Sequence, residues 1–201
     1  SSKEEFEEKI KEKPPNFDLE LKNMKIPNSP LHKLTEEQKN FLINNRWKLI
    51  HYPEYLPIFL RSFKRWYSDI TYELPDLLEA WAEPDKSTAI LLLSGEYYDP
   101  LIRRYVIKNL ETWNDADLSL FMLQIVRSLE VEHEDDSEIA KFLLKRASLE
   151  PKYLGLQLFW QLKSLFDIPW MHHRVLWMNA ALVAFSDLHE KFLFSFTFTE
   201  S

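Results

Sequence analysis

The sequence predicts an all-α protein, an α-α superhelix of about ten helices stacked as antiparallel pairs, and three observations carry that prediction. Glycine is nearly absent: two glycines stand against 11 prolines, 7 tryptophans and 14 phenylalanines, whereas hairpin-rich sheets and phosphate-cradling loops both consume glycine. Apolar residues recur at helical spacing, most cleanly at Leu118, Phe121, Met122, Ile125, Val126 and Leu129, which form one face of a 3.6-residue period. Counted in pairs, the predicted helices recur roughly every thirty-odd residues, near the range for hairpins that stack and bury a shared core. The pairs share little sequence, so the repeat is one of structure.

Element by element, residues 1–30 carry a Lys/Glu run followed by Pro14, Pro15, Pro27 and Pro30, which reads as a linker from something upstream. Thr35 with Gln38 three residues on fits a capping box, and Glu36 and Glu37 suit a first turn; a helix is predicted from there towards His51. Pro53, Pro57 and Pro75 then punctuate helices over about 54–66 and 69–81, and Asp85 caps the next, about 86–97. Asp99 followed by Pro100 places an N-cap acceptor before a proline whose missing N–H costs nothing there; this helix carries Arg103 and ends near Trp113. The acidic turn Glu130 to Asp136 is expected to cap a helix with Ile139, Phe142 and Leu143, and Pro151 to separate it from one bearing Leu154, Leu158, Phe159, Trp160 and Leu162. A last helix covers about 172–192 after Pro169. The final residues differ, because Phe192, Phe194, Phe196 and Phe198 alternate with period two, as on a strand. The resulting division is a linker at 1–30, a helical domain at 31–193 and a tail at 194–201.

Composition excludes several functions. With 201 residues and 45% hydrophobic content, the chain can bury roughly 70% of the surface its unfolded form exposes, so one compact unit without staples is expected. It has no cysteine, hence no disulfide framework and no thiolate zinc site, which suits the cytosol. A net charge of −7 and a pI near 5.4 oppose a nucleic-acid backbone and disfavour a membrane surface. The apolar stretches fall short of the ~20 residues a membrane span needs. The N-terminal SSKEEFEEKIKEK has no signal-like apolar segment and no initiating Met, so it reads as part of a longer chain.

No motif supplies chemistry. His172 and His173 invite a metal and, with nearby carboxylates, a hydrolase, but neighbours on a helix point about 100° apart and no HExxH accompanies them, so surface or cap histidines are the preferred reading. Glu130, Glu132, Glu134, Asp135 and Asp136 lack the spacing and turn glycine of a calcium loop and are expected to be a solvated turn. Arg61, Phe63, Lys64, Arg65, Trp66 and Tyr67 interleave cations with aromatics as nucleic-acid and phospholipid patches do, but fit a helix end covered by basic side chains. The tryptophans are expected in core and inter-helix packing. Gly-rich phosphate loops, nucleophile elbows and cysteine nucleophiles are absent from the sequence.

Four stretches in order carry a family resemblance: LTEEQKNFL (Leu34 to Leu42) with Arg46 following, HYPEYLPIFL (His51 to Leu60), Leu91 to Leu110 with Asp99, Pro100 and Arg103, and Phe142 to Ser164 with Gly155 and FWQLKS at Phe159 to Ser164. From Pro30 to about Phe192 the chain resembles the helical accessory (PIK) domain of phosphoinositide 3-kinases. The resemblance implies a non-catalytic α-α superhelix, a spine against which the lipid-binding and kinase domains of a parent enzyme pack. It implies that ATP and Mg²⁺ belong to the parent's kinase domain, with no cofactor or metal here, and a cytoplasmic parent recruited peripherally to membranes, with no nucleic-acid partner and no direct membrane insertion. In class IA relatives, acidic residues at the start of the first long helix contact a regulatory subunit. Glu36 keeps one such position, with Glu37 beside it, but Lys33 reverses the charge at the other, so a basic partner would meet repulsion there. Favourable placement at a helix start is the simpler role for Glu36 and Glu37, and an inter-helix hydrogen bond the simpler role for Arg103. Gly155, Phe159 and Trp160 are expected to set how closely a hairpin packs. A free-standing helical-repeat adaptor is the alternative, and the 4-kinase relatives share this domain.

Overall fold

The computed structural model describes residues 12–26, 29, 33–63 and 70–184, and divides the chain into two compact units, Ser1–Leu92 and Leu93–Ser201. Among the described residues every regular element is helical. The aromatic alternation beyond Phe192, the core of the basic and aromatic run (Lys64 to Tyr67), and the end of the last predicted helix lie outside the described residues.

In the first unit the helices are α1 (Phe17–Asn23), α2 (Glu36–Asn44), α3 (Arg46–Leu49), α4 (Leu56–Arg61), α5 (Ile70–Ala80) and α6 (Lys86–Leu91). The capping box forms as predicted: the Gln38 amide donates to Thr35 Oγ1 at 3.2 Å and the Thr35 amide to Gln38 Oε1 at 3.0 Å. The helix stops well before His51, at Asn44, because Asn45 turns back to the Phe41 carbonyl through both its amide and its side chain, at 3.1 and 2.9 Å. Pro53 and Pro57 sit in the first turns of a 3-10 turn and of α4, where a missing N–H is harmless. Pro75 behaves otherwise and lies inside α5, whose Leu74, Leu77 and Leu78 are buried. Phe17 joins Phe41 and Tyr52 at ring distances of 5.9 and 5.6 Å, and Phe59 meets Trp81 at 5.3 Å.

Arg46 grips Glu73 with two parallel bonds, Nε to Oε2 at 2.7 Å and Nη2 to Oε1 at 3.0 Å, and holds the Glu73 carboxyl below its ordinary value. A carboxylate lowered in the folded state adds stability above its unfolded value near 4.5 and loses it as pH falls through the folded value. Glu73 is 36% exposed, so screening keeps this within about 1 kcal/mol. Glu73→Gln is therefore expected to be less stable than the parent at pH 7 and equal to it once both are below the lowered value, read from urea midpoints across the acid range.

The second unit holds α7 (Pro100–Leu110), α8 (Asp115–Arg127), α9 (Glu138–Leu149), α10 (Leu156–Ser164) and α11 (His172–Ala184). Each helix packs on the one two further along: α7 on α9, α9 on α11, and α8 on α10. That second-neighbour stacking in two rows is how helical hairpins propagate a shared core. Asp99 caps α7 by accepting from the Leu101 amide at 2.8 Å, with Pro100 at the first position. α8 buries Leu118, Met122, Ile125 and Val126 as its periodicity requires. The helix predicted over 86–97 ends at Leu91, and a separate 3-10 turn covers Gly95–Tyr97.

Two corrections concern caps and turns. The acidic turn does not cap α9; Ser137 does, accepting from the Ala140 amide at 3.3 Å. Pro151 opens a π turn, Pro151–Gly155, that runs directly into α10. Gly155 suits this position, since a Cβ would stand 3.2 Å from the Ala147 carbonyl oxygen of α9 and the backbone would have to give by a few tenths of an ångström.

Candidate functional site

The most organised polar region of the second unit is the loop from Leu129 to Asp136, which two arginines hold from inside. Arg103 lies on the apolar stripe of α7 with Ile102, Val106 and Leu110. Its Nε donates to Glu132 Oε1 at 2.6 Å, with the side chains 4% and 5% exposed, and its guanidinium stands 5.2 Å from the Tyr98 ring. Tyr98 also meets the His133 ring edge to face, with centroids 4.6 Å apart.

Arg174 enters from α11, on a stripe with Val175, Met178 and Leu182, and is 3% exposed. Its Nη1 donates to the Leu129 carbonyl, and its Nη2 to the carbonyls of Glu132 and Glu134 at 3.0 and 2.7 Å. Burial lowers its pKa, opposed by Asp135 and Glu132. Asp135 faces Arg174 Nε at 3.7 Å through one oxygen and pairs with His173 Nδ1 through the other. A cleft of about 720 Å³ opens over this loop, lined by Tyr98, Glu130, His133, Asp135, Trp170 and Arg174.

The arrangement fixes a loop; it assembles no nucleophile, paired acid and base, or ligand set. Arg103, expected as an inter-helix hydrogen-bond donor, donates instead to the loop residue Glu132. The acidic turn is not uniformly solvated, because Glu132 is buried as the counter-ion. Among the described residues no group of three His, Asp or Glu side chains is placed to hold a metal. His173 pairs with Asp135, and His172 stacks on Phe166 at 4.6 Å.

In the first unit Lys33, Glu36 and Glu37 are all exposed at the start of α2, with Glu36 bound to Lys39 at 2.6 Å. Of the packing residues, Phe159 is buried and Gly155 fits under α9, but Trp160 is 50% exposed and Trp170 68% exposed. Among the described tryptophans, Trp81 and Trp113 are buried and Trp47 and Trp177 half-buried. Trp160 faces out because Leu158, Phe159 and Leu162 occupy the inward stripe.

Sequence reasoning passed over Arg174, Arg146 and Gln157. Arg146 ties α9 to the Trp113 carbonyl at 3.0 Å and to Asp115 at 2.6 Å. Gln157 Nε2 ties α10 to the Ser119 carbonyl at 2.9 Å. A signal existed for Arg174, a lone basic residue on an apolar helical stripe, and it is the same signal that Arg103 carries.

Helices stacked in two rows, with buried charges turned onto loop carbonyls and each other, define a helical-repeat module. The sequence pattern of the phosphoinositide 3-kinase family accessory domain (PIK domain) matches residues 8–193, and the chain belongs to that family. It is 30% identical over 140 residues to phosphatidylinositol 3-kinase pik3 of Schizosaccharomyces pombe, covering 66% of this chain and 17% of that protein. It is 30% identical over 135 residues to phosphatidylinositol 3-kinase 1 of Dictyostelium discoideum, covering 67% of this chain and 8% of that protein. The chain thus spans less than a fifth of either relative.

Proposed function

We propose that this chain is the non-catalytic helical scaffold of a phosphoinositide 3-kinase, packing against the lipid-binding and kinase domains of a parent that passes the ATP γ-phosphoryl group to the inositol 3-hydroxyl. The observation that carries the reading is the accessory-domain match over residues 8–193, and the internal use of the buried charges fits it. The parts that phosphoryl transfer needs, a Gly-rich phosphate loop and metal-binding carboxylates in a catalytic loop, belong to the rest of the parent, which works in the cytoplasm and reaches membranes peripherally. Glu36 and Glu37 remain positions where a regulatory subunit could bind, with Lys33 opposing a cationic one.

The test is phosphatidylinositol phosphorylation with labelled ATP. The chain alone is expected to transfer no label, the full parent to label the 3-position, and the parent with Glu132→Ala to lose stability and activity together. A parent that keeps full activity after deletion of residues 31–193 would overturn the scaffold role.

A further inference from the structure

Along the row α7, α9 and α11 the outward positions change character. Between their first and last residues, α7 exposes Arg104 and Lys108 and α9 exposes Lys141, Lys145 and Ser148, whereas α11 exposes His173, Leu176 and Ala180. The stripe of α11 continues to exposed Ala184, with Trp177, Ala181 and Val183 half-buried along it, and Leu176 is 52% exposed. After Arg174, α11 carries no charged residue, and Asn179 there is buried. A helix apolar on every side belongs inside a protein, and the end of a stacked array keeps a polar outer face. The α11 stripe therefore calls for a cover, which the charged stripes of α7 and α9 do not.

The chain supplies a candidate directly after the helix. Residues 185–201, FSDLHEKFLFSFTFTES, lie outside the described residues. Their sequence alternates Phe192, Phe194, Phe196 and Phe198 with Leu193, Ser195 and Thr197, which sets four rings on one side of an extended segment. We infer that this segment folds back over α11 and lays its phenylalanines along the stripe, in the order Phe192 on Ala184, Phe194 on Ala180 and Phe196 on Leu176. The spacing carries the register, since two residues of extended chain advance about 6.6 Å and four residues of helix about 6 Å. Residues 185–191 give the return seven residues, within the ordinary length of a connection between helices. Tethering selects this occupant over a second copy, because a segment joined to the helix it covers competes at an effective concentration of about a millimolar. The contact removes apolar surface of both partners from water. It does not depend on the scaffold reading and needs no kinase activity to measure.

The chain has no cysteine, so a paired replacement reads the contact directly. Ala180→Cys with Phe194→Cys is expected to close a disulfide within one chain under mild oxidation. Its rate should exceed that of Lys145→Cys with Phe194→Cys at least about tenfold and be independent of protein concentration. Trypsin provides the second readout. Cleavage after Lys191 is expected to be slow in the unmodified chain and to rise about tenfold in Leu176→Glu, and likewise in Phe194→Ser with Phe196→Ser, while cleavage after Lys108 stays unchanged. A variant cut faster at Lys108 as well has lost its fold, and the cysteine pair then decides. A disulfide no faster than the control pair, or a Lys191 site cut equally fast in the unmodified chain and in folded variants, overturns the proposal. So do disulfides that form only between chains and rise with concentration, which assign the stripe to a second copy.

Discussion

Glu132→Ala is expected to destabilise the second unit by about 3–5 kcal/mol, because it leaves the Arg103 guanidinium buried without its carboxylate. The Coulomb attraction between the two side chains is not the whole cause. Arg103 and Glu132 are both nearly sealed from water, so the large cost lies in keeping one charge inside after the other has gone. Arg103→Ala should cost a similar amount for the mirror reason, and it also removes the cation from the Tyr98 ring. A double replacement, Arg103→Met with Glu132→Leu, should recover most of the loss, since hydrophobic isosteres of a buried pair are often neutral. Urea unfolding of the parent, Arg103→Met, Glu132→Leu and the double replacement closes a double-mutant cycle. Single-variant losses under about 1 kcal/mol would mean that water reaches the pair and that it holds nothing.

The contrast between what sequence revealed and what it hid follows from the range of each interaction. Thr35, Asp85 and Asp99 were legible as caps because each bonds to a backbone amide two or three residues away, a reach that local spacing encodes. The ends of helices were less legible. α2 stops at Asn44 because Asn45 folds back on Phe41, and α5 runs through Pro75, where burial of Leu74, Leu77 and Leu78 outweighs the roughly 3 kcal/mol an internal proline costs. Trp160 misled through its residue type: its position in the 3.6-residue period turned it away from Leu158 and Leu162, and the period prevailed, leaving its ring against the edge of Phe159 at 5.4 Å. The loop clamp was hidden for another reason. Arg103 and Glu132 are 29 residues apart and Arg174 meets carbonyls more than 40 residues away, so no window shows the pairing, and an acidic run looks solvated until its counter-ions are seen. What sequence did offer was the anomaly of an arginine on an apolar stripe, twice.

Arg174 carries the second large effect, and its chemistry separates it from a simple salt bridge. The guanidinium fork spans three carbonyls, those of Leu129, Glu132 and Glu134, and reinforces a loop in which the Leu129 and Glu134 carbonyls also accept the Glu132 and Ser137 amides. Arg174→Lys keeps the charge but offers a compact ammonium that cannot span three acceptors. It should cost about 2 kcal/mol, from a carbonyl left without its donor and a more strongly hydrated cation to bury. Arg174→Ala should cost about 3–5 kcal/mol, since it adds a cavity under the loop and leaves Asp135 facing a lost partner. The two mechanisms differ in where they act, which hydrogen exchange resolves residue by residue. Loss of the clamp should speed exchange from Leu129 through the Ser137 cap into the first turn of α9, while the buried stretches of α8 and α10 keep their protection. A protein that loosened uniformly, or that tolerated Lys without loss, would show that Arg174 serves as a point charge opposite Asp135. In that case Asp135→Asn would reproduce the whole effect, whereas the clamp geometry predicts that this substitution leaves the three carbonyl bonds intact and costs only a fraction of it.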